Sequence, residues 1–115
     1  MITEDFVSIE IQELLNKKGF DFLSNSVQAI GKYDIKHNDD GTAELEKCCT
    51  YQTAVKWLRE IHELIISIEF QTIYFTWKWR IYTKSSNIKH TDFKHYNKYE
   101  KAVEAAIKYC LENLI

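Results

Sequence analysis

The chain has 115 residues, 45% of them apolar and 28% charged, with a formal net charge of −2. That length fits a single domain over 1–115 whose core needs no metal or disulfide staple. The near-neutral balance excludes a global field that would draw in DNA or RNA.

Charge is nevertheless uneven along the chain. Residues 1–60 hold seven Lys/Arg against eleven Asp/Glu, whereas residues 71–101 hold seven against two. A local basic surface is therefore expected in the second half. The three glycines, Gly19, Gly31 and Gly41, do not cluster. That spacing excludes the phosphate-cradling loop of an ATPase or dinucleotide enzyme. Cys48, Cys49 and Cys110 are odd in number and two are adjacent, so no disulfide framework or redox pair is read from them. Free thiols imply a reducing, cytoplasmic setting. MITEDFVSIEIQELL carries acids where a signal peptide needs bases, and no apolar run reaches the roughly 18 residues of a membrane helix. No membrane contact is expected.

Taken in order, Thr3 suits a helix cap with Glu4 and Asp5 in the first turn, and Val7, Ile11, Leu14 and Leu15 recur at helical spacing. Lys17, Lys18 and Gly19 end that helix. Phe20, Phe22 and Leu23 should pack back onto the core. Residues 28–48 read as a hairpin turned by Asn38–Gly41, weakly apolar and suited to a sheet edge. Thr50 caps a second helix with Tyr51, Ala54, Val55, Leu58 and Ile61 on its stripe and Trp57 beside it. If exposed, Trp57 would anchor a partner; core packing is its commoner fate.

The period then changes from helical to alternating. Leu64, Ile66, Ile68 and Phe70 share one face of a strand. In the next, FTWKWRIY, one face collects Ile73, Phe75, Trp77, Trp79 and Ile81 and the other Tyr74, Thr76, Lys78, Arg80 and Tyr82. The strand boundary falls near Gln71 and Thr72. Residues 84–97 form a polar connection. Asn97 and Glu100 suggest a capping box for a last helix whose apolar stripe includes Tyr99, Ala102, Val103, Ala106, Ile107, Cys110, Leu111 and Leu114. TYQTAV at 50–55 and KYEKAV at 98–103 share three positions, which shared helix-start chemistry explains as well as duplication does.

The aromatic strand raises the main functional question. RNA-recognition strands interleave glycine with aromatics so that bases can approach. This strand has Thr, Lys and Arg at those places, so its aromatic face is read as core. The opposite face, with Tyr74, Lys78, Arg80 and Tyr82, is the candidate ligand or partner surface. Its ordinary reading is a solvated face with cross-strand pairs. His90, Asp92 and His95 are close in sequence but lack zinc-site spacing, so no metal and no cofactor are expected. Cys48 and Cys49 precede a helix N-terminus, which can acidify a thiol. No base or oxyanion partner can be named for them, so no catalytic residue is assigned.

MITEDFVSIEIQELLNKKGF, TYQTAVKWLREIHELI and YEKAVEAAIKYCLENLI, in that order, resemble a family of short uncharacterised proteins. These are encoded by gut Bacteroides-type bacteria and by their prophages and mobile elements. The three blocks cover about half the chain, and KWLRE and AIKYCLENLI are their specific parts. The resemblance implies a context but no activity, cofactor or site residue.

The expected fold is α+β in the order α-ββα-ββα, with an antiparallel sheet of about four strands covered on one face by helices. The expected function is that of a non-enzymatic binding or accessory protein of a mobile element, acting through a protein partner or self-association. The alternative is nucleic-acid or nucleotide binding by Lys78, Arg80, Tyr82 and the basic 84–101 segment. A cysteine-dependent enzyme ranks last.

Overall fold

The first helix starts where a hydroxyl can cap it. The computed structural model describes residues 6–20, 31–83, 89–91 and 94–115. In it α1 spans Ile9–Lys17, and the Ser8 hydroxyl accepts from the Ile11 N–H at 3.3 Å. The expected cap Thr3, with Glu4 and Asp5, lies outside the described residues, as do Phe22 and Leu23. The first-turn acid is Glu10. Gly19 takes the left-handed exit at φ 95° and Phe20 is buried, both as the sequence predicts.

Strand β1 (Gly31–His37) pairs antiparallel with β2 (Ala43–Cys49), from Gly31↔Cys49 to His37↔Ala43. The turn is the expected Asn38–Gly41. The Gly41 N–H donates to the Asn38 carbonyl at 3.1 Å, the Asn38 N–H donates to the Thr42 carbonyl at 2.9 Å, and Gly41 sits at φ 87°. A tight turn closed by a glycine bulge has this pattern.

Thr50 then caps α2 (Tyr51–His62), accepting from the Thr53 N–H at 3.1 Å. Its buried side is Ala54, Trp57 and Leu58. Trp57 is therefore a core residue. Ile61, expected on the apolar stripe, is exposed instead. His62 packs edge-on to Trp57 at 4.6 Å at this end of the helix. Glu63, at φ 56°, then turns the chain directly into the next strand.

Strands β3 (Leu64–Gln71) and β4 (Thr76–Thr83) pair antiparallel from Leu64↔Thr83 to Gln71↔Thr76. Strand β5 (Lys89–His90) adds to the other edge of β4, and Tyr96 exchanges backbone hydrogen bonds with Trp77 at 2.7 and 2.8 Å. The polar segment 84–97 thus contributes a third strand that its composition hides. Helix α3 (Tyr99–Tyr109) follows and continues as a π-helical turn over Cys110–Leu114. Its cap position is Lys98, with no side-chain cap bond, and not Asn97 as the sequence suggests. Asn97 stands one residue too early, directly after Tyr96, which is fixed by its bridge to Trp77.

The α+β class holds, but the single sheet of about four strands does not. The described residues form a two-stranded sheet, β1-β2, and a three-stranded sheet, β3-β4-β5. The reason lies at the base of the first hairpin. Cys48, Cys49 and Thr50 are buried there. The outward backbone groups of Cys49 are already taken: its carbonyl accepts from the Val7 N–H, and its N–H donates to Gln12 Oε1, both at 2.9 Å. That end of the β2 edge is therefore closed to β3. Gln12 is itself buried in α1, which composition did not foretell.

The core lies where α2 and α3 cover one face of β3-β4-β5, with α1 packed against α3 and β2. Trp79 and Ile81 are fully buried there with Leu58, Ile107 and Leu111, and Trp79 meets the Tyr109 ring at 5.1 Å. The opening half of FTWKWRIY behaves differently. Residues 72–75 are the turn, so Ile73 and Phe75 leave the core face to which alternation assigned them. The strand begins only at Thr76.

Candidate functional site

Helix α3 covers β4 at Trp79 but begins only at Tyr99, beside Trp77. Beyond that point the aromatic face of the sheet continues, and among the described residues no helix lies over it. Rings follow one another along it: Tyr99 to Trp77 at 5.2 Å, Trp77 to Phe70 at 5.0 Å, Phe70 to Phe75 at 6.4 Å. The track ends in the turn, where Ile73, Tyr74 and Phe75 are 83%, 64% and 78% exposed. At its inner end Tyr99 also walls a cleft of about 230 Å³ between the starts of α2 and α3. Tyr51, Val55, Ile66, Ile68 and Val103 line that cleft.

Phe75 is placed at a cost. It sits at φ 53°, in the left-handed region. Turn positions of this kind favour Gly or Asn, because a Cβ is strained there by roughly 1 kcal/mol. Here a bulky aromatic takes the position and then stands in water. Its edge-on contact with Phe70 leaves most of the ring exposed and turn chemistry does not favour it, and such outliers concentrate at functional sites.

The sequence-predicted surface fares unevenly. Tyr74 belongs to the turn and not to the strand face, and its ring lies on His95 at 4.9 Å. This corrects its grouping with Lys78, Arg80 and Tyr82, which do share the outer face of β4 by alternation. The physical reason is the turn, which ends the alternation before Thr76. On that outer face Glu69 stands opposite Lys78 in the ladder and forms an ion pair with Arg80 at 3.3 Å. The carboxylate thus offsets the positive charge that an anionic ligand would seek. The three residues are half-buried.

The thiols also depart from the acidified cysteine considered from sequence. Cys48, Cys49 and Cys110 are all buried. Burial pushes Cys49 and Cys110 up to about 12. Cys48 is raised by burial and by the nearby Asp34 and Glu46 carboxylates. Desolvation disfavours the thiolate, and here it outweighs the neighbouring helix terminus. His90 packs against Tyr109 at 5.8 Å, and His95 Nδ1 lies 3.0 Å from the Thr76 hydroxyl. Asp92 lies outside the described residues. No group of three or more His, Cys, Asp or Glu side chains is arranged for a metal among the described residues. No helix there is long and apolar enough to cross a membrane.

Phe70, Ile73 and Phe75 were missed as surface residues because alternation assigns a face and not a depth. One signal was present. Two long strands must turn somewhere, and QTIYFT holds no Gly, Pro, Asn or Asp. Any turn built from it must therefore expose bulky apolar side chains. Comparison with known proteins adds no relative: no family model, no curated protein and no solved structure matches the chain.

Proposed function

We propose that this is a non-enzymatic binding protein that engages a protein partner through the Ile73-Tyr74-Phe75 tip and the aromatic track behind it. The observation that carries this reading is the exposed Phe75 in a left-handed turn position. Partner contact supplies a reason for both the strain and the exposure. Clustered aromatics are the usual energetic centre of such contacts, and a convex aromatic tip suits insertion into a partner's pocket. The cleft beside Tyr99 would take a further apolar side chain of the partner. A role as an accessory protein of a mobile element rests on the sequence resemblance alone. The reading through Lys78, Arg80 and Tyr82 toward nucleic acid is less favoured, because Glu69 offsets their charge.

The test separates binding from folding. Phe75→Gly relieves the left-handed strain and removes the anchor. It should keep or raise the unfolding midpoint while losing any protein that the native chain captures from cells of its source. If Phe75→Gly and the double variant Ile73→Ser/Tyr74→Ser capture the same proteins as the native chain, the tip is not the binding surface. Retention on immobilised single-stranded DNA that disappears on Arg80→Glu would favour the nucleic-acid reading instead.

A further inference from the structure

The first hairpin carries a second surface, independent of the aromatic tip. The geometry points to β1 as a self-complementary edge that pairs with β1 of a second copy of this chain, forming a continuous four-stranded antiparallel sheet, β2-β1-β1-β2.

Three observations converge on it. The first is backbone direction. The Asn38–Thr42 hydrogen bond closes the hairpin, so the alternation of an antiparallel ladder turns the N–H and C=O groups of Tyr33, Ile35 and His37 away from β2. The Ile35 N–H agrees with this, donating at 2.8 Å to the adjacent Asp34 carboxylate and not to the ladder. Beyond β2, no strand pairs with β1 among the described residues.

The second is exposed apolar surface. Tyr33, Ile35 and Leu45 share one face of the hairpin and are 61%, 53% and 68% exposed. An isolated two-stranded sheet is marginal in water, and added strands stabilise it. The opposite face is not the open one, since Lys36 pairs with Glu13 of α1 at 2.7 Å and Glu46 accepts from the Asn16 side chain at 3.1 Å.

The third is charge register, which selects the occupant. In a two-fold antiparallel pairing, an axis at Asp34 or at Lys36 sets like charges directly opposite, which is destabilising. An axis at Ile35 sets Asp34 opposite Lys36 on both sides of the axis, Ile35 against Ile35, and Tyr33 opposite His37. Tyr33, Ile35 and His37 are also the residues with outward backbone groups, so this register forms about six inter-chain hydrogen bonds. The strand KYDIKH thus complements itself, and an isologous dimer is the assembly that exploits such a patch.

Two variants test this while keeping the backbone hydrogen bonds of the β1-β2 ladder. Ile35→Pro removes an N–H that faces off the edge, a position where proline is tolerated. Asp34→Lys places like charges at both charged pairs. Sedimentation equilibrium on the native chain should give twice the chain mass. Ile35→Pro and Asp34→Lys should each give the monomer with an unchanged far-UV spectrum. A native chain that is monomeric to its solubility limit overturns the inference. So does a dimer that survives either single variant, which would place the contact elsewhere. Phe75→Gly should leave the mass unchanged, so this outcome is independent of the tip's role.

Discussion

The two hairpins have similar lengths and opposite fates. In β3-β4 the alternating apolar residues meet helices, and Trp79 and Ile81 become the centre of the core. In β1-β2 the alternating apolar residues Tyr33, Ile35 and Leu45 stay in water, and the hairpin is held by its base and by charged contacts to α1. Alternation alone therefore does not bury a strand. Burial depends on whether another element arrives to cover the face. The covered hairpin repeats the lesson along its own length: where α3 begins at Tyr99, the same row of aromatics passes from core to surface.

Mutations should widen or erase this contrast. The largest effect is expected at Trp79. Trp79→Ala should cost about 3–5 kcal/mol in urea unfolding, through lost burial and the cavity left behind. The chemically similar truncation Tyr33→Ala should stay within about 0.5 kcal/mol for the isolated chain. An equal loss at both positions would mean that the first hairpin is covered in solution. Next comes the base of the first hairpin. Gln12→Leu leaves the buried Cys49 N–H without its acceptor and should cost about 1–3 kcal/mol. Hydrogen exchange of that amide should speed up more than exchange in β4.

Glu63, at the entrance to the covered hairpin, is left-handed at φ 56°. Glu63→Gly should stabilise by up to about 1 kcal/mol, offset in part by the freer unfolded chain. A fall in the unfolding midpoint would show that the Glu63 side chain contributes more than its backbone strain costs.

The smallest effect is expected with pH. Burial lowers His62 below its ordinary value, and its Nε2 has no hydrogen-bond partner among the described residues. The unfolded chain therefore takes up this proton first. Stability from this residue is complete above about pH 6.5 and drains as pH falls through the depressed folded value. The melting temperature should decline over that window, and His62→Gln should flatten the decline.

Much of the fold was legible in short stretches of sequence. Thr50, the Asn38–Gly41 turn, the Gly19 exit and the apolar stripe from Ala102 to Leu111 each rest on interactions within a few residues, and all appear where expected. The candidate site was less legible. Alternation assigns Trp79 and Ile81 to the core, where they lie, but it assigns Ile73 and Phe75 there too, and both are exposed. Of the four residues chosen for the outer face, Tyr74 lies in the turn.

What the sequence by itself determined was local. Side-chain periodicity and capping chemistry set the helices, the strands and one turn, because backbone hydrogen bonding and nearby side chains decide those. Tertiary structure decided the rest. It set the split into two sheets, the burial of Gln12, Cys48 and Cys49, and the exposure of the aromatic tip. Each depends on which distant segment reaches a given face: residues 7–12 reached the edge of β2, and α3 stopped short of Phe70 and Phe75. Water is excluded only by contacts between segments far apart in the chain, and no local pattern encodes where those contacts end.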